Sequence, residues 1–495
     1  MTLLKIPYGI SNYRTIALEG YAYVDKTRFI RILEEYPSPY LFFLRPRRFG
    51  KSLFVSLLTY YYDITEKDNF EVLFSGTDIG RKPTLKRNSY YVLNCNFSGI
   101  SSESEPQLVD SFTRKTRNSL NLFIDRYNLD ITLKDTGSSA DQLSEFFNLV
   151  STRIDGPIYV IIDEYDHFAN ELLSFNFHLF QNTIGRNGFI RKWYEVLKEA
   201  TETIVDRIFV TGVSPITLDS LTSGFNISDD LTRFPLVNEL MGFTEEEVKD
   251  LFLKTIPEDV LFFDVAENLR LYYNGYLFSE DAQKRLYNSD MILYYLKHFQ
   301  VLHTPPKSLL DTNIASDYGK LGNLLRVKSP DQNVEVIKEV VYSGRVTVQM
   351  TEKYSLEKPF SKDDFKSLLF YLGLLTIRES LPGEVSLQIP NYVIRVLYYD
   401  FFMQLIAEEA PYQIEPGRIR DAIHQVGYMG RCDKLVSLIE ELLHAFSNRD
   451  FIGFDEKYIK IAIFAYANMS SLYLVKSEYE VPDGYIDIAL LKRDP

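Results

Sequence analysis

Residues Arg45-Pro46-Arg47-Arg48-Phe49-Gly50-Lys51-Ser52 follow a short apolar run, Tyr40 to Leu44, and lead into a helical-looking run, Leu53 to Tyr62. Strand, loop, Gly-Lys-Ser and helix in that order are the layout of a phosphate-binding loop. Backbone N–H groups in such a loop converge on phosphate, and the helix N-terminus adds positive potential. Lys51 then supplies a point charge to the terminal phosphates and Ser52 a hydroxyl to Mg²⁺. The usual first glycine is replaced by Arg45, which removes conformational freedom at the loop entry. Pro46 stiffens it further, so the loop should take a path of its own. The guanidinium groups of Arg45, Arg47 and Arg48 could grip phosphate oxygens bidentately or pair with acids of a neighbouring domain. The expected nucleotide-contacting set is Arg45, Arg47, Arg48, Phe49, Gly50, Lys51, Ser52 and Leu53.

Asp163-Glu164 ends the apolar run Ile158 to Ile162. An aspartate there can hold Mg²⁺ through water, and a following glutamate can orient and deprotonate an attacking water. Taken alone the pair reads equally well as a polar turn after a core strand; its order after Gly50-Lys51-Ser52 favours a nucleotide site. The next apolar run, Arg207 to Gly212, closes with Thr211 and, just beyond, Ser214. Their hydroxyls could contact a γ-phosphate or the lytic water, as the sensor strand does in ATPases with an extra sheet strand, or could cap a turn. No Asn/Thr-Lys-x-Asp segment follows these elements, so ATP is expected rather than GTP. No single arginine stands out as an arginine finger, since Arg207, Arg233 and several others serve equally well.

At 495 residues the chain should hold two to four domains. No apolar run approaches the roughly 20 residues that span a bilayer, and Met1 to Lys5 lack a secretory h-region. A cytoplasmic, membrane-free protein is expected. Two cysteines, Cys95 and Cys432, and six unpaired histidines exclude a disulfide framework and a thiolate zinc site. The formal charge of −14 does not support a broad nucleic-acid grip. Oligomerisation is left open.

Along the chain, Tyr21 to Val24 reads as a short strand, and Asp25 as the N-cap of a helix ending at Glu35. Tyr90 to Phe97 reads as a strand, Leu108–Tyr127, Ala140–Thr152 and Ile190–Thr201 as helices. Strands alternating with helices indicate a largely parallel sheet covered on both faces. Thr244-Glu245-Glu246-Glu247 carries a capping-box signature. Ser361 caps a helix to Leu372, and Leu374–Ile377, Pro382-Gly383 and Val385–Ile389 form a hairpin. Helix followed by hairpin is a winged-helix-like pattern.

These segments together resemble the AAA-ATPase-like family of bacterial proteins, often from Bacteroidetes. The resemblance is carried by the loop with its leading Arg, Ile162 to Asp166, Thr211 to Pro215, Tyr23 to Thr27, Gly242 to Glu247 and Tyr273 to Tyr276. It covers about residues 1–290 and implies a P-loop ATPase. Members commonly carry a C-terminal domain similar to PD-(D/E)XK nucleases. Pro482-Asp483-Gly484-Tyr485 with Asp487 resembles its first catalytic half, which implies Asp487 as a metal-binding carboxylate. From the residues alone, an ordinary Asp483-Gly484 hairpin turn serves as well. The Glu-x-Lys strand that should follow is absent before Pro495, so a truncated nuclease-like domain without nuclease activity is expected.

The expected architecture is α/β: a P-loop NTPase domain over 1–290, a helical, winged-helix-like region over 291–400 and a partial nuclease-like domain over 401–495. The expected function is ATP hydrolysis as a conformational switch, with Glu164 as base and Ser52 and Asp163 holding Mg²⁺. The alternatives are a nucleotide-binding scaffold with negligible turnover, and a DNA-processing nuclease in a longer form.

Overall fold

The computed structural model describes residues 3–169, 172, 188–215, 225–311, 330–354, 360–409, 415–447, 456–468, 473–482 and 484–492. Five short strands build the main sheet: β1 (Tyr40–Leu44), β2 (Tyr91–Asn96), β3 (Ile158–Asp163), β4 (Val205–Gly212) and β5 (Asp229–Asp230). Their order is β2-β3-β4-β1-β5, and every neighbouring pair is parallel. β3 is buried at every position and β1 from Leu41 onward, as expected for strands covered on both faces. The helices Lys51–Tyr62, Glu105–Arg126, Ser139–Val150 and Phe189–Ala200 lie around this sheet. Parallel pairing carries the C-terminal ends of β1, β2, β3 and β4 to one edge, where ligands of open α/β sheets bind. β4 is inserted between β1, which feeds the Gly-Lys-Ser loop, and β3, which ends in Asp163. That is the position expected of an extra strand.

The stretch expected as a strand at Tyr21–Val24 forms a single bridge, Tyr21 to Lys5. The following helix runs Arg28–Glu35 behind Thr27, not Asp25. Asp25 instead accepts from Thr27 N at 2.9 Å and from Asp78 N at 2.7 Å, tying two helix starts together.

Beyond the sheet come the helices Glu245–Thr255, Phe262–Tyr273 and Ser289–Leu302. The first opens with both halves of the Thr244/Glu247 capping box in place. The last runs across the boundary expected at residue 290. A second, antiparallel sheet follows, with β6 (Arg345–Val348), β7 (Thr376–Leu381) and β8 (Glu384–Gln388) in the order β6-β8-β7. The helix Lys362–Tyr371 precedes the β7–β8 hairpin, and Phe365 through Tyr371 are all buried, so most of this helix is core.

The segment between the two sheets is tightly joined to the second. Leu277 N donates to Thr376 Oγ1 at 2.7 Å, and Ile377 N to Leu277 O at 3.3 Å. Arg285 Nη1 donates to Gly275 O at 2.7 Å and Ile377 O at 3.1 Å. Gly275 has φ 116°, and a Cβ there would lie 2.0 Å from Pro390 O, so only glycine fits.

The C-terminal part comprises the helices Tyr392–Glu409, Pro416–Met429, Asp433–Ser447 and Glu456–Asn468, then the antiparallel hairpin of β9 (Tyr473–Val481) and β10 (Gly484–Lys492). Val475 N donates to the Tyr392 hydroxyl at 3.1 Å and fastens the hairpin to the first of these helices. Among the described residues no helix is long and apolar enough to cross a membrane.

Candidate functional site

The loop after β1 holds two left-handed residues, Arg48 (φ 69°) and Gly50 (φ 95°), on either side of Phe49. Gly50 is the N-cap of the helix Lys51–Tyr62. Left-handed residues just before a helix start turn successive backbone N–H groups into an anion-binding concavity. Arg48 has no glycine's freedom, so its backbone must be held. Its carbonyl accepts from Ser289 Oγ at 3.2 Å and Asp290 N at 3.3 Å, at the start of the helix Ser289–Leu302. Phe49 O accepts from Gly242 N at 3.2 Å, and the Phe49 ring packs edge-on against Tyr276 (5.0 Å) and Phe278 (5.3 Å).

Lys51 is buried, and its ammonium donates to the carbonyls of Arg45 at 3.0 Å and Pro46 at 3.1 Å. Ser52 Oγ donates to Asp163 Oδ2 at 2.7 Å. Glu164 N donates to Asp163 Oδ1 at 3.0 Å. Burial raises the Asp163 pKa above its ordinary value and the Glu164 charge adds to this; the Ser52 bond and the Lys51 charge pull it back. Glu164 itself has φ 55°, a left-handed conformation uncommon outside glycine, and it lines the cavity in front of the loop. That cavity has a volume of about 500 Å³, within the range of roughly 300–1,000 Å³ typical of small-molecule sites.

Arg47, Arg48, Phe49, Gly50, Lys51, Ser52 and Leu53 line it together with Glu164. Asp163 does not line it but is bonded to Ser52, which does, and four further expected site residues are placed otherwise. Arg45 is buried with its guanidinium turned away from the cavity. It donates to Leu44 O (2.9 Å), Thr232 O (2.7 Å), Val237 O (3.2 Å) and Asn238 O (3.4 Å) and lies between the rings of Phe43 and Phe278, 4.2 and 4.3 Å from their centroids. Burial pushes its pKa down to about 9, opposed by Asp230, and it stays charged at neutral pH. The reason is geometric: β1 ends one residue earlier, and the first side chain beyond it points into the segment 232–238. Thr211 donates to Phe43 O at 2.7 Å and is fully buried, so it bolts β4 to β1. Ser214 is also fully buried; its N (2.7 Å) and Oγ (3.1 Å) donate to Asp166. Asp487 lies on β10, exposed, 3.7 Å from the Lys460 ammonium. Asp483, its neighbour in the expected motif, lies outside the described residues. Of the arginines considered as a finger, Arg207 donates to Leu33 O at 2.8 Å and Arg233 pairs with Glu280 and Glu352, so these two are engaged within the chain.

Asp166 organises the turn after β4, accepting also from Val213 N at 3.0 Å. A Cβ on Gly212 would fall 2.2 Å from Asp166 Oδ1 and 2.5 Å from the Tyr165 ring. Gly212→Ala is therefore expected to cost about 1–3 kcal/mol of stability, read as a lowered unfolding midpoint.

Several cavity residues escaped the sequence reading: Asn96, Ser98, His167, Ser289 and Asp290. Asn96 had a usable signal, since it closes β2 and pairs in register with Asp163. The others arrive by tertiary folding. Among the described residues, no three His, Cys, Asp or Glu side chains gather as a metal cluster. Mg²⁺ does not need one, because it is commonly held by one or two protein oxygens plus substrate phosphates; Ser52 and Asp163 fit that role.

Residues 7–222 match the model of the family described as predicted AAA-ATPase, and residues 454–495 match that of the PD-(D/E)XK nuclease superfamily. The chain is also 29% identical over 302 residues to a protein of Azotobacter chroococcum mcd 1 named "Uncharacterized protein in vnfD 5'region". That match covers 60% of this chain and 53% of the relative, so the chain spans about half the relative's length. The AAA-ATPase match spans β1 to β4 and the loop, and the nuclease match spans the last helix and the β9–β10 hairpin. Residues 7–222 are thus similar to the predicted AAA-ATPase family and residues 454–495 to the PD-(D/E)XK nuclease superfamily.

Proposed function

We propose that this protein binds ATP with Mg²⁺ at the cavity in front of the Gly50-Lys51-Ser52 loop and hydrolyses its γ-phosphate. The observation that carries this is the 2.7 Å bond between Ser52 and Asp163, made beside the buried Lys51 and the cavity-lining Glu164. Lys51, Ser52 and Glu164 thereby face one space, and Asp163, 111 residues from Ser52 in sequence, is bonded to its hydroxyl from behind the cavity wall. In this reading Lys51 leaves the Arg45 and Pro46 carbonyls to meet phosphate oxygens, and Arg47 and Arg48 add positive charge at the cavity wall. Glu164 orients a water for in-line attack and takes its proton. Mg²⁺, held by Ser52 and Asp163, would neutralise charge on the phosphate oxygens.

The loop is also positioned to report its state. Arg48 and Phe49 are bonded to residues 242 and 289–290, and the intervening chain is bonded to β7. A switch that passes from the nucleotide to the second sheet is the role we assign to hydrolysis.

Titration calorimetry with Mg²⁺–ATP, alongside a phosphate-release assay, tests the proposal. The wild-type chain should bind and release phosphate. Lys51→Ala should weaken ATP binding by about tenfold or more, the scale of one charge-assisted contact. Turnover and affinity unchanged in this variant would rule the site out.

A further inference from the structure

The chain has a formal charge of −14, yet four bases, Arg81, Lys82, Lys86 and Arg87, fall close together around Leu85. Leu85 is fully exposed. The turn that carries it is firmly held. Thr84 N donates to the Tyr61 hydroxyl at 2.9 Å and Thr84 Oγ1 to Glu34 Oε1 at 2.9 Å. On the other side Asn88 N donates to Tyr61 O at 2.9 Å and Asn88 Nδ2 to Asp63 O at 2.9 Å. Arg81 lies 3.6 Å from Asp78 and Lys86 4.0 Å from Asp206, whereas no acid pairs with Lys82 or Arg87 among the described residues. A leucine fixed at the tip of a basic turn loses little freedom on meeting a partner.

A surface of matching chemistry lies elsewhere in the same chain. The Phe252 ring packs on that of Phe262 at 5.4 Å, and Gln300 Nε2 donates to Thr255 O at 2.7 Å. The helices Glu245–Thr255, Phe262–Tyr273 and Ser289–Leu302 therefore meet at one corner. Leu253, Leu261, Phe263, Val301 and Leu302 each lie within two residues of these contacts, and all five are exposed. Single exposed apolar residues are ordinary, but a gathered set marks an interaction surface. Glu258, Asp259, Asp264 and Glu267 are exposed on the same segments, and none is paired with a base among the described residues. Of the bases nearby, Lys254 is paired with Asp250, and Lys249 lies one turn before Leu253, so acid is in excess.

We propose that the Leu85 turn of one copy of this chain docks on the apolar, acidic corner of a second copy. Charge sets the pairing, because turn against turn, or corner against corner, would bring like charges together. The turn leads into β2 at the N-terminal edge of the sheet, whereas Leu251 and Leu293, on two helices of the corner, line the cavity at the C-terminal edge. The contact is head to tail. Each copy of a pair keeps one surface to offer to a further copy, which builds a ring or an open chain.

Sedimentation velocity and light scattering on the full chain test the contact. The wild-type mass should rise above that of one chain as concentration increases. Leu85→Glu and Phe263→Glu, both at exposed positions, should each weaken association tenfold or more, with unfolding midpoints near wild type. Lys82→Glu should weaken it in the same direction. Mixed in equal amounts, the Leu85→Glu and Phe263→Glu chains should form a pair and go no further, because the intact corner of the first receives the intact turn of the second. A wild-type chain still monomeric at about 100 μM would overturn the proposal. So would a Leu85→Glu chain that associates as strongly as wild type, or a mixture of the two variants that stays monomeric.

Discussion

Glu164→Gln is expected to slow ATP turnover by roughly 10²–10⁴-fold, the usual worth of a positioned general base, while ATP affinity stays near the wild-type value. Glutamine keeps the size of the side chain and a carbonyl oxygen that can still orient water. It loses the ability to take the proton. The backbone at 164 is held left-handed by its surroundings, with its N–H on Asp163 and its carbonyl accepting from His167 N at 3.2 Å. The substitution should therefore leave the turn in place. Single-turnover phosphate release and calorimetry on the same preparation separate the two effects. A variant that hydrolyses ATP at the wild-type rate would remove Glu164 from the chemistry. A variant that no longer binds would assign it to the ground state instead.

The second large effect is expected where the phosphate loop departs from the common pattern. Arg45→Gly writes the usual glycine into the motif, and it should damage the protein. The carbonyls of Thr232, Val237 and Asn238 would each lose a charged donor inside a buried site, and the slot between Phe43 and Phe278 would be emptied. The expected loss is about 3–5 kcal/mol of stability, several unmet acceptors together with a cavity. Urea unfolding followed by fluorescence reads it. Arg45→Lys should fall between, because an ammonium lacks the fork that spans several carbonyls. Full stability in Arg45→Gly would show that the carbonyls find water and that the arginine is dispensable to the fold.

The contrast between these two positions shows what could be read from the chain. Strands β1 and β3, the loop and the capping boxes at Thr244 and Ser361 were legible because each is a local pattern, settled by neighbours within a few residues. Glu164 and Asp163 could be placed together with Ser52 because parallel strands bring their C-terminal ends to one edge. Arg45 could not be placed, since a one-dimensional motif gives the identity of a side chain and not the direction it takes once the strand ends. Thr211 and Ser214 kept two readings for a related reason: at the end of a central strand a hydroxyl is as useful for tying neighbouring groups, as both do here, as for meeting a ligand. The far wall of the cavity left no trace, because Ile10, Phe243 and Leu293 are ordinary apolar residues until the fold brings them together.

The junction at Gly275 has a mechanical consequence. With no room for even one extra carbon beside Pro390, and with Leu277 and Arg285 stitched to β7, the segment 275–285 that packs on Phe49 has little slack in which a displacement could dissipate. If the proposed switch operates, a shift imposed at Phe49 would reach the second sheet with little play, as through a lever.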